Sequence, residues 1–469
     1  MAFQKLTPAI ITEFERIVGK ENVLTSRESL ENYGHDETED LLYLPEVVLK
    51  PGTPEEISAI LKICNRELIP VTPRAAGTGL SGAALPIHGG VVLSVERFNK
   101  ILQIDERNLQ ATVEPGVINE VFQNAVKEKG LFYPPDPASK GSCFLGGNIA
   151  LSSGGPKAVK YGTTKEYVLN LEVVLPTGEI IWTGANVLKN STGFNLTQLM
   201  VGSEGMLGIV TKIVFRLIPL PQRTVVMLVP FFSAEKACAS VSAVFRAGIT
   251  PSGMEFMERD AIDWTLKFVE GIFISIKDEV QAHLLIELDG NDMDVLMKEA
   301  EIVSGIMTQF ECDEILFADT EEQKQNLWRM RRRVGEAVKS NSIYKEEDTV
   351  VPRAELPVLL KGVKEIGKKY GFKSVCYGHA GDGNLHVNII KGDMPDEKWN
   401  KELSKGIREI FELCVRLGGT ISGEHGIGLV QKEYMDVAFP SVSIELQKKI
   451  KDVFDPNGIL NPGKMFPGQ

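Results

Sequence analysis

A short glycine loop, Gly77-Thr-Gly-Leu-Ser-Gly82, constrains this chain more than any other feature. It matches G-x-G-x-x-G letter for letter and follows the strand-like run 69–74 (IPVTPR). A dinucleotide-binding Rossmann unit also requires a helix to open there, so that the helix N-terminus faces the pyrophosphate. Here the chain continues AALPIHGGVVLSVERF, with Pro86, Gly89-Gly90 and a β-branched run. That is strand chemistry, and it argues against the Rossmann fold. Two readings remain. The glycines let backbone N–H groups approach a phosphate closely, since no side chain intervenes and φ > 0 is permitted, or they form a plain turn.

Around this loop the pattern is mixed α and β. Thr53-Pro54-Glu55-Glu56 carries a capping hydroxyl, a first-turn proline and acids against the helix dipole, and Ile57, Ile60, Leu61 and Cys64 follow at helical spacing. Ile118 to Val126 predicts a second helix, stopped at Gly130. Residues 131–165 are dense in Pro, Gly and Ser with little periodicity, and such a long irregular stretch points to function. Residues 168–183 predict a hairpin around Pro176-Thr177-Gly178, and 205–218 one more strand. Pro219 and Pro221 then suggest a domain boundary. Beyond it, strands (224–231, 283–289, 314–318) alternate with helices (234–247, 295–309), and later helices end at Gly371 and Gly418. The expected class is α+β, with domains at 1–219 and 220–425 and a C-terminal helical segment at 426–469 packing back on the first.

Composition excludes several classes. With 51 Lys and Arg against 63 Asp and Glu the net charge is −12, so a nucleic-acid or anionic-membrane surface would need a local basic patch. The one such cluster is Arg329, Arg331, Arg332 and Arg333. The cysteines Cys64, Cys143, Cys238, Cys312, Cys376 and Cys414 are too scattered for a C-x-x-C zinc or iron–sulfur arrangement and read as buried thiols of a reducing compartment. No run reaches the ~18 apolar residues of a membrane span. The N-terminal segment reads as a helix rather than a targeting signal, which places the chain in the cytoplasm.

A second polar loop, PDPASKGSCFLGGNIALSSGG (135–155), gives the first one company. Together PRAAGTGLSGAA, PPDPASKGSCFLGGNIA, VGSEGMLGIVT and the terminal LNPGKMF resemble the FAD-linked oxidases of the vanillyl-alcohol-oxidase type, over almost the whole chain. The most similar branch holds D-lactate dehydrogenases, the FAD subunit of glycolate oxidase and D-2-hydroxyglutarate dehydrogenases. The resemblance implies a p-cresol-methylhydroxylase (PCMH)-type FAD-binding domain of two α+β subdomains, plus an α+β cap domain with an antiparallel sheet. It implies that Arg74, Ala75, Ala76, Gly77, Thr78, Gly79 and Ser81 wrap the FAD pyrophosphate. Pro137, Ser139, Cys143, Gly146, Gly147, Asn148 and Ser153 would line the ribityl chain and isoalloxazine. Gly208 and Ile209 would meet the adenine, and Asn461 would return to the flavin. Ala75 departs from the glycine of many relatives, which is tolerable at φ < 0. The first loop has no histidine where some relatives attach the flavin, so the expected FAD is non-covalent.

Three of the six histidines fall in YGHAGDGNLHVN (377–388) and SGEHGIG (422–428). Ala-Gly-Asp-Gly between His379 and His386 is a turn tetrad able to fold two extended arms together, and His386 and Asn388 share a strand face. Two imidazoles and one carboxylate make an open divalent-metal site suited to zinc, iron(II) or manganese, whereas each histidine alone is more simply a hydrogen-bonded loop residue. In the family, the residues matching His379, His386 and Glu424 hold the metal, and the match to His425 is the catalytic base. A neutral imidazole suits that role, and Arg331 would hold the substrate carboxylate. The resemblance adds Lys345 and Asn388 as substrate contacts. Gly335 replaces a Thr that some 2-hydroxyglutarate enzymes use.

The implied activity is oxidation of a small D-2-hydroxy acid, D-lactate to pyruvate first, with hydride transfer to flavin N5. Glycolate and D-2-hydroxyglutarate are the alternatives within the family. A flavin-free metal-dependent hydrolase or a flavin-binding subunit without activity are readings of other classes. Electrons would leave to a protein acceptor, electron-transferring flavoprotein or an iron–sulfur subunit.

Overall fold

The computed structural model describes residues 3–38, 40–272 and 274–468. The chain divides into two compact units. The first comprises Met1–Gly154, Thr163–Leu220 and Glu424–Gln469, and the second Gly155–Gly162 and Pro221–Gly423.

In the first unit, strands Val23–Leu24 (β1), Val47–Leu49 (β2), Val71–Arg74 (β3) and Val91–Ser94 (β4) form a sheet in the order β1-β2-β4-β3, with β2 and β3 parallel to β4. Parallel pairing needs a crossover, and the helix Pro54–Glu67 follows β2 and precedes β3. Its start obeys the sequence: Thr53 Oγ1 accepts from the Glu56 amide at 3.2 Å, and Pro54 opens the first turn. Ile57, Ile60, Leu61 and Cys64 then meet Val47, Leu49, Val91 and Leu93 in one core.

Seven further strands of this unit are Ile101–Asp105 (β5), Gln110–Val113 (β6), Leu131–Phe132 (β7), Val168–Val174 (β8), Ile180–Trp182 (β9), Ile209–Arg216 (β10) and Ile218–Pro219 (β11). β7 pairs with β11, and the rest form an antiparallel sheet in the order β5-β6-β10-β8-β9. The stretch 131–165, expected to be irregular, contains the helix Leu145–Leu151. Gly146-Gly147 disguised it. A Cβ at Gly146 would stand 2.6 Å from the Cβ of Pro115, so the residue is small because the helix packs close, not because the chain turns. The C-terminal helix Ser441–Phe454 is anchored in this unit by Lys451, whose Nζ donates to the carbonyls of Met206 (2.6 Å) and Leu460 (2.7 Å).

The second unit is built on one antiparallel sheet of seven strands: Arg223–Phe231 (β12), Gly253–Glu258 (β13), Ala282–Gly290 (β14), Leu316–Phe317 (β15), Tyr344–Val350 (β16), Lys373–His379 (β17) and Asn384–Ile390 (β18), in the order β15-β12-β14-β13-β17-β18-β16. One face carries Met257, Leu285, Tyr344, Val375 and Tyr377, packed against Ala261, Ile262, Leu327, Met330, Val334 and Val338 of three helices. β13 has no counterpart among the expected strands. Its run GMEFME is buried from Gly253 to Met257, so it lacks the alternation that exposes a half-buried strand to sequence reading.

Residues Gly155–Gly162, an excursion from the first unit's sequence, belong to the second. Lys157 pairs with Glu287, which also accepts from Trp328 Nε1 (2.6 Å) and Ser252 Oγ (2.9 Å). Lys160 Nζ lies 2.6 Å from Asp289 Oδ1, and the Tyr161 hydroxyl 2.9 Å from both oxygens of Asp289. Among the described residues no helix is long and apolar enough to cross a membrane.

Candidate functional site

The first glycine loop leaves β3 at Arg74. Arg74 is buried, its guanidinium lies over the Tyr33 ring at 5.6 Å, and its side chain fills the space where a Cβ of Gly77 would sit. Gly77 has φ +75°, a conformation glycine adopts without strain, and Ala75 is not among the residues with positive φ. Burial pushes the Arg74 guanidinium down, with Asp36 the first of the neighbours opposing this. Two buried donors beside the loop have no protein hydrogen bond, Arg74 Nη1 and Ser81 Oγ. Buried polar groups are ordinarily satisfied, and a Cβ at Gly79 would meet only open space. Unspent donors beside bare backbone are what a pyrophosphate requires.

The second loop lies against the first: a Cβ at Gly147 would approach the Cβ of Ala75 at 3.3 Å. Pro137 and Ser139 begin a turn in which the Ser139 carbonyl accepts from the amides of Ser142 and Cys143, both at 2.8 Å. Cys143 is buried, and that burial pushes its thiol up, which denies it the thiolate needed for bond formation. Asn148 Nδ2 donates to Asn119 Oδ1 at 3.1 Å, and the carbonyl of Ser153 accepts from Thr164 Oγ1 at 2.8 Å. Gly208 packs on Val173 where any side chain would clash, and Ile209 pairs with Val174 inside the core. Asn461, at φ +45°, spends its amide on the carbonyls of Ala83 (3.0 Å) and Glu204 (2.8 Å).

Glu204, which sequence reading passed over, organises the same region. It is buried, and its carboxylate accepts from the amides of Ile427 and Gly428, each at 2.7 Å. Burial raises its carboxyl, against the pull of those amides and Lys464. Lys464 is fully buried, donates to the Leu85 carbonyl at 2.5 Å, and is pushed down by burial to about 8. The turn after His425 is thus pinned to Glu204 and, through Leu429 and Val430, to the carbonyl of Ser81 (2.8 and 3.2 Å). A Cβ at Gly426 would meet Leu151 Cδ2 at 2.8 Å. The first unit therefore sets the segment that begins with half-buried Glu424 and His425 against both glycine loops.

In the second unit, Ala380–Asp382 and Gly383 turn β17 into β18, with His379 opposite Asn384 and Tyr377 opposite His386. The two imidazoles are buried, with ring centres 5.3 Å apart and planes at 83°. Both oxygens of Glu255 stand 2.9 Å from His379 Nδ1, and His379, His386 and Glu424 form a group whose ligand atoms could hold a metal ion. His386 Nδ1 is 3.6 Å from Glu346 Oε1 and from Asp348 Oδ1. Buried Arg331 places Nη2 2.6 Å from Glu255 Oε2 and its guanidinium 5.3 Å from the Tyr377 ring centre, and its Nε has no partner. Asn388 is fully buried near the Tyr377 hydroxyl, without a well-formed hydrogen bond on either amide atom. Arg329 and Arg333 are exposed and Arg332 half-buried, so the rest of the basic cluster lies outside this group.

Lys345 does not join these residues. Asp348 pairs with His386 and Glu346 with Asn388, so strand alternation sends Lys345 through the opposite face of the sheet, where its ammonium lies 5.3 Å from the Trp399 ring centre. The residue one step on, Glu346, is the one on the histidine face. Asp348 holds the approach to Glu424, since its carboxylate accepts from Ser422 Oγ (2.9 Å) and the Gly423 amide (2.8 Å).

Residues 45–184 match the family of FAD binding domains, and residues 220–465 that of FAD linked oxidases, C-terminal domain. The chain belongs to the FAD-linked oxidase family. A D-lactate dehydrogenase of Anaerostipes hadrus is 38% identical to this oxidase over 99% of the chain and 98% of its own length. Glycolate oxidase subunit GlcD of Bacillus subtilis (strain 168) is 38% identical over 98% and 97%. Among solved structures, p-cresol methylhydroxylase shares the fold at a TM-score of 0.79 and 20% identity, over 99% of this chain and 98% of that one. The mixed α and β architecture of this FAD-linked oxidase is therefore that of the PCMH-type oxidases, and the protein is an FAD-dependent oxidoreductase. The orphaned donors of the first unit fit that cofactor.

Proposed function

We propose that this oxidase converts a small D-2-hydroxy acid to the 2-oxo acid, D-lactate before glycolate, using non-covalent FAD and one divalent metal. One observation carries the reading: a buried arginine with an unspent Nε, Arg331 of the helix Glu321–Arg332, lies over Tyr377 on the sheet face that carries two imidazoles, His379 and His386. A guanidinium answers a carboxylate, and neutral nitrogen ligands answer zinc, iron(II) or manganese. Asn388, with amide atoms to spare, is a second group for the substrate. D-2-hydroxyglutarate ranks below these acids because Gly335 offers its second carboxylate no hydroxyl.

In this reading His379, His386 and Glu424 hold the metal and His425 is the base. Support comes from chain continuity. Gly423 is fixed by Asp348 beside His386, and the next two residues are Glu424 and His425, whose following turn is fixed on Ser81 and Glu204. Bound in these sites, FAD supplies the hydride acceptor and the metal supplies Lewis acidity toward the hydroxyl. Arg331 orients the carboxylate, and His425 removes the hydroxyl proton as C2 is oxidised.

We assign the onward electrons to a separate protein, electron-transferring flavoprotein or an iron–sulfur subunit, which the subunit status of the glycolate oxidase relative supports. A cytoplasmic location is in keeping with six cysteines none of which is in a disulfide. The test is anaerobic addition of D-lactate to the purified protein. Bleaching of the flavin band at about 450 nm is expected, and an unchanged spectrum with D-lactate, glycolate and D-2-hydroxyglutarate would refute the reading.

A further inference from the structure

Glu255 is a fully buried carboxylate in the strand Gly253–Glu258, set among Gly253, Met254, Phe256 and Met257. An ionised group in such a place is costly unless paired and hydrogen-bonded. Among the described residues its partners are two. His379 Nδ1 lies 2.9 Å from both of its oxygens, and Arg331 Nη2 lies 2.6 Å from Oε2. The placement follows from register. β13 pairs with β17 through Phe256 opposite Gly378 and Met257 opposite Tyr377, and one more step brings Glu255 opposite His379.

We propose that Glu255 is the positioning residue of this site, a single carboxylate that aligns the metal ligand His379 and the substrate anchor Arg331 together. This rests on the metal and substrate roles assigned above to those two residues. Accepting from Nδ1–H fixes the His379 tautomer, so that Nε2 carries the lone pair, and raises its basicity. Drawing in Nη2 holds the guanidinium over Tyr377 and leaves Nε for a substrate carboxylate. An amide in its place fills the same volume but removes the negative charge that Arg331 and the Nδ1–H of His379 share, so packing and charge can be told apart by Glu255→Gln.

The experiment uses metal-stripped, FAD-loaded protein. Zinc affinity is measured by competition with a chromophoric chelator, and kcat and KM for D-lactate are measured with an artificial electron acceptor after zinc is restored. Glu255→Gln is expected to weaken zinc binding about 10–100-fold and to raise KM at least about tenfold, with FAD content retained. Glu255→Asp, which keeps the charge one methylene short, should recover part of both. Wild-type affinity and KM in both variants would overturn the proposal, and so would weaker zinc binding with an unchanged KM, because the carboxylate would then serve His379 alone. Should Glu255→Gln fail to fold, Glu255→Asp decides by the same two readouts. If the wild-type protein itself binds no metal and is not reduced by a hydroxy acid, the functional reading fails rather than the role of Glu255.

Discussion

The amide of Leu429 donates to the carbonyl oxygen of Ser81 across 2.8 Å. The last polar residue of the first glycine loop is thereby fastened to the turn that follows His425. Gly428 makes this approach possible: its φ is +50°, and a Cβ there would collide with the Ser81 carbonyl.

Gly428→Ala should cost at least about 1–2 kcal/mol from the left-handed backbone alone, and more from the clash. Because the collision falls on the cofactor loop, FAD content should drop together with Tm. Absorbance and a thermal melt of the same preparation check both, and full FAD occupancy would refute the coupling.

His425→Ala should leave FAD bound, since the amides of Ile427, Gly428, Leu429 and Val430 anchor its loop to Glu204 and Ser81. Flavin reduction by D-lactate is expected to slow by about 10²–10⁴-fold. Stopped-flow bleaching under anaerobic conditions measures it, and a normal rate would remove His425 from the chemistry.

The flavin should be released on acid precipitation. Burial keeps the Cys143 thiol protonated, and the first loop holds no histidine. Yellow colour left in the pellet would contradict this, and Cys143→Ala should not lower FAD content.

Chelator treatment should abolish reduction by D-lactate while the flavin spectrum stays that of bound FAD. Zinc, iron(II) or manganese should then restore activity to different extents. Full activity in a chelated sample shown to be metal-free would count against the His379, His386 and Glu424 assignment.

Glu287 gives an acid-dependent signature. Burial alone would raise its carboxyl, but Lys157 first, then Ser252 and Trp328, hold it below the ordinary value of 4.5. A carboxylate lowered in the folded state contributes stability that is present above the unfolded value and lost as pH falls through the folded one. Glu287→Gln removes the carboxylate that answers Lys157 and should cost about 3–5 kcal/mol near neutrality. The gap in Tm from wild type should be widest near neutrality and should narrow as pH falls below 4.5. A gap independent of pH would show that packing, not charge, was lost.

What the sequence made legible follows from where its signals are local. Thr53 caps its helix and Ala-Gly-Asp-Gly turns His379 back toward His386 because capping and turn chemistry need only neighbouring residues. Glu255 escaped notice because a strand buried on both faces has no alternation, although a carboxylate between Met254 and Phe256 was itself a clue. The face of Lys345 was lost for a different reason: strand side chains alternate, so an offset of one residue reverses the direction. Glycine misled at Gly146, where it marks close helix packing rather than a loop.

The excursion of residues Gly155–Gly162 bears on how such an enzyme can be rebuilt. Neither compact unit is a continuous stretch of polypeptide, so no single cut yields either one whole. A chimera that keeps this chain from Pro221 to Gly423 but borrows everything before it would inherit Glu287 and Asp289 without the lysines that answer them. Swapping cap domains between relatives to change substrate therefore requires a matched eight-residue graft, with Lys157, Lys160 and Tyr161 moved along with the sheet they serve.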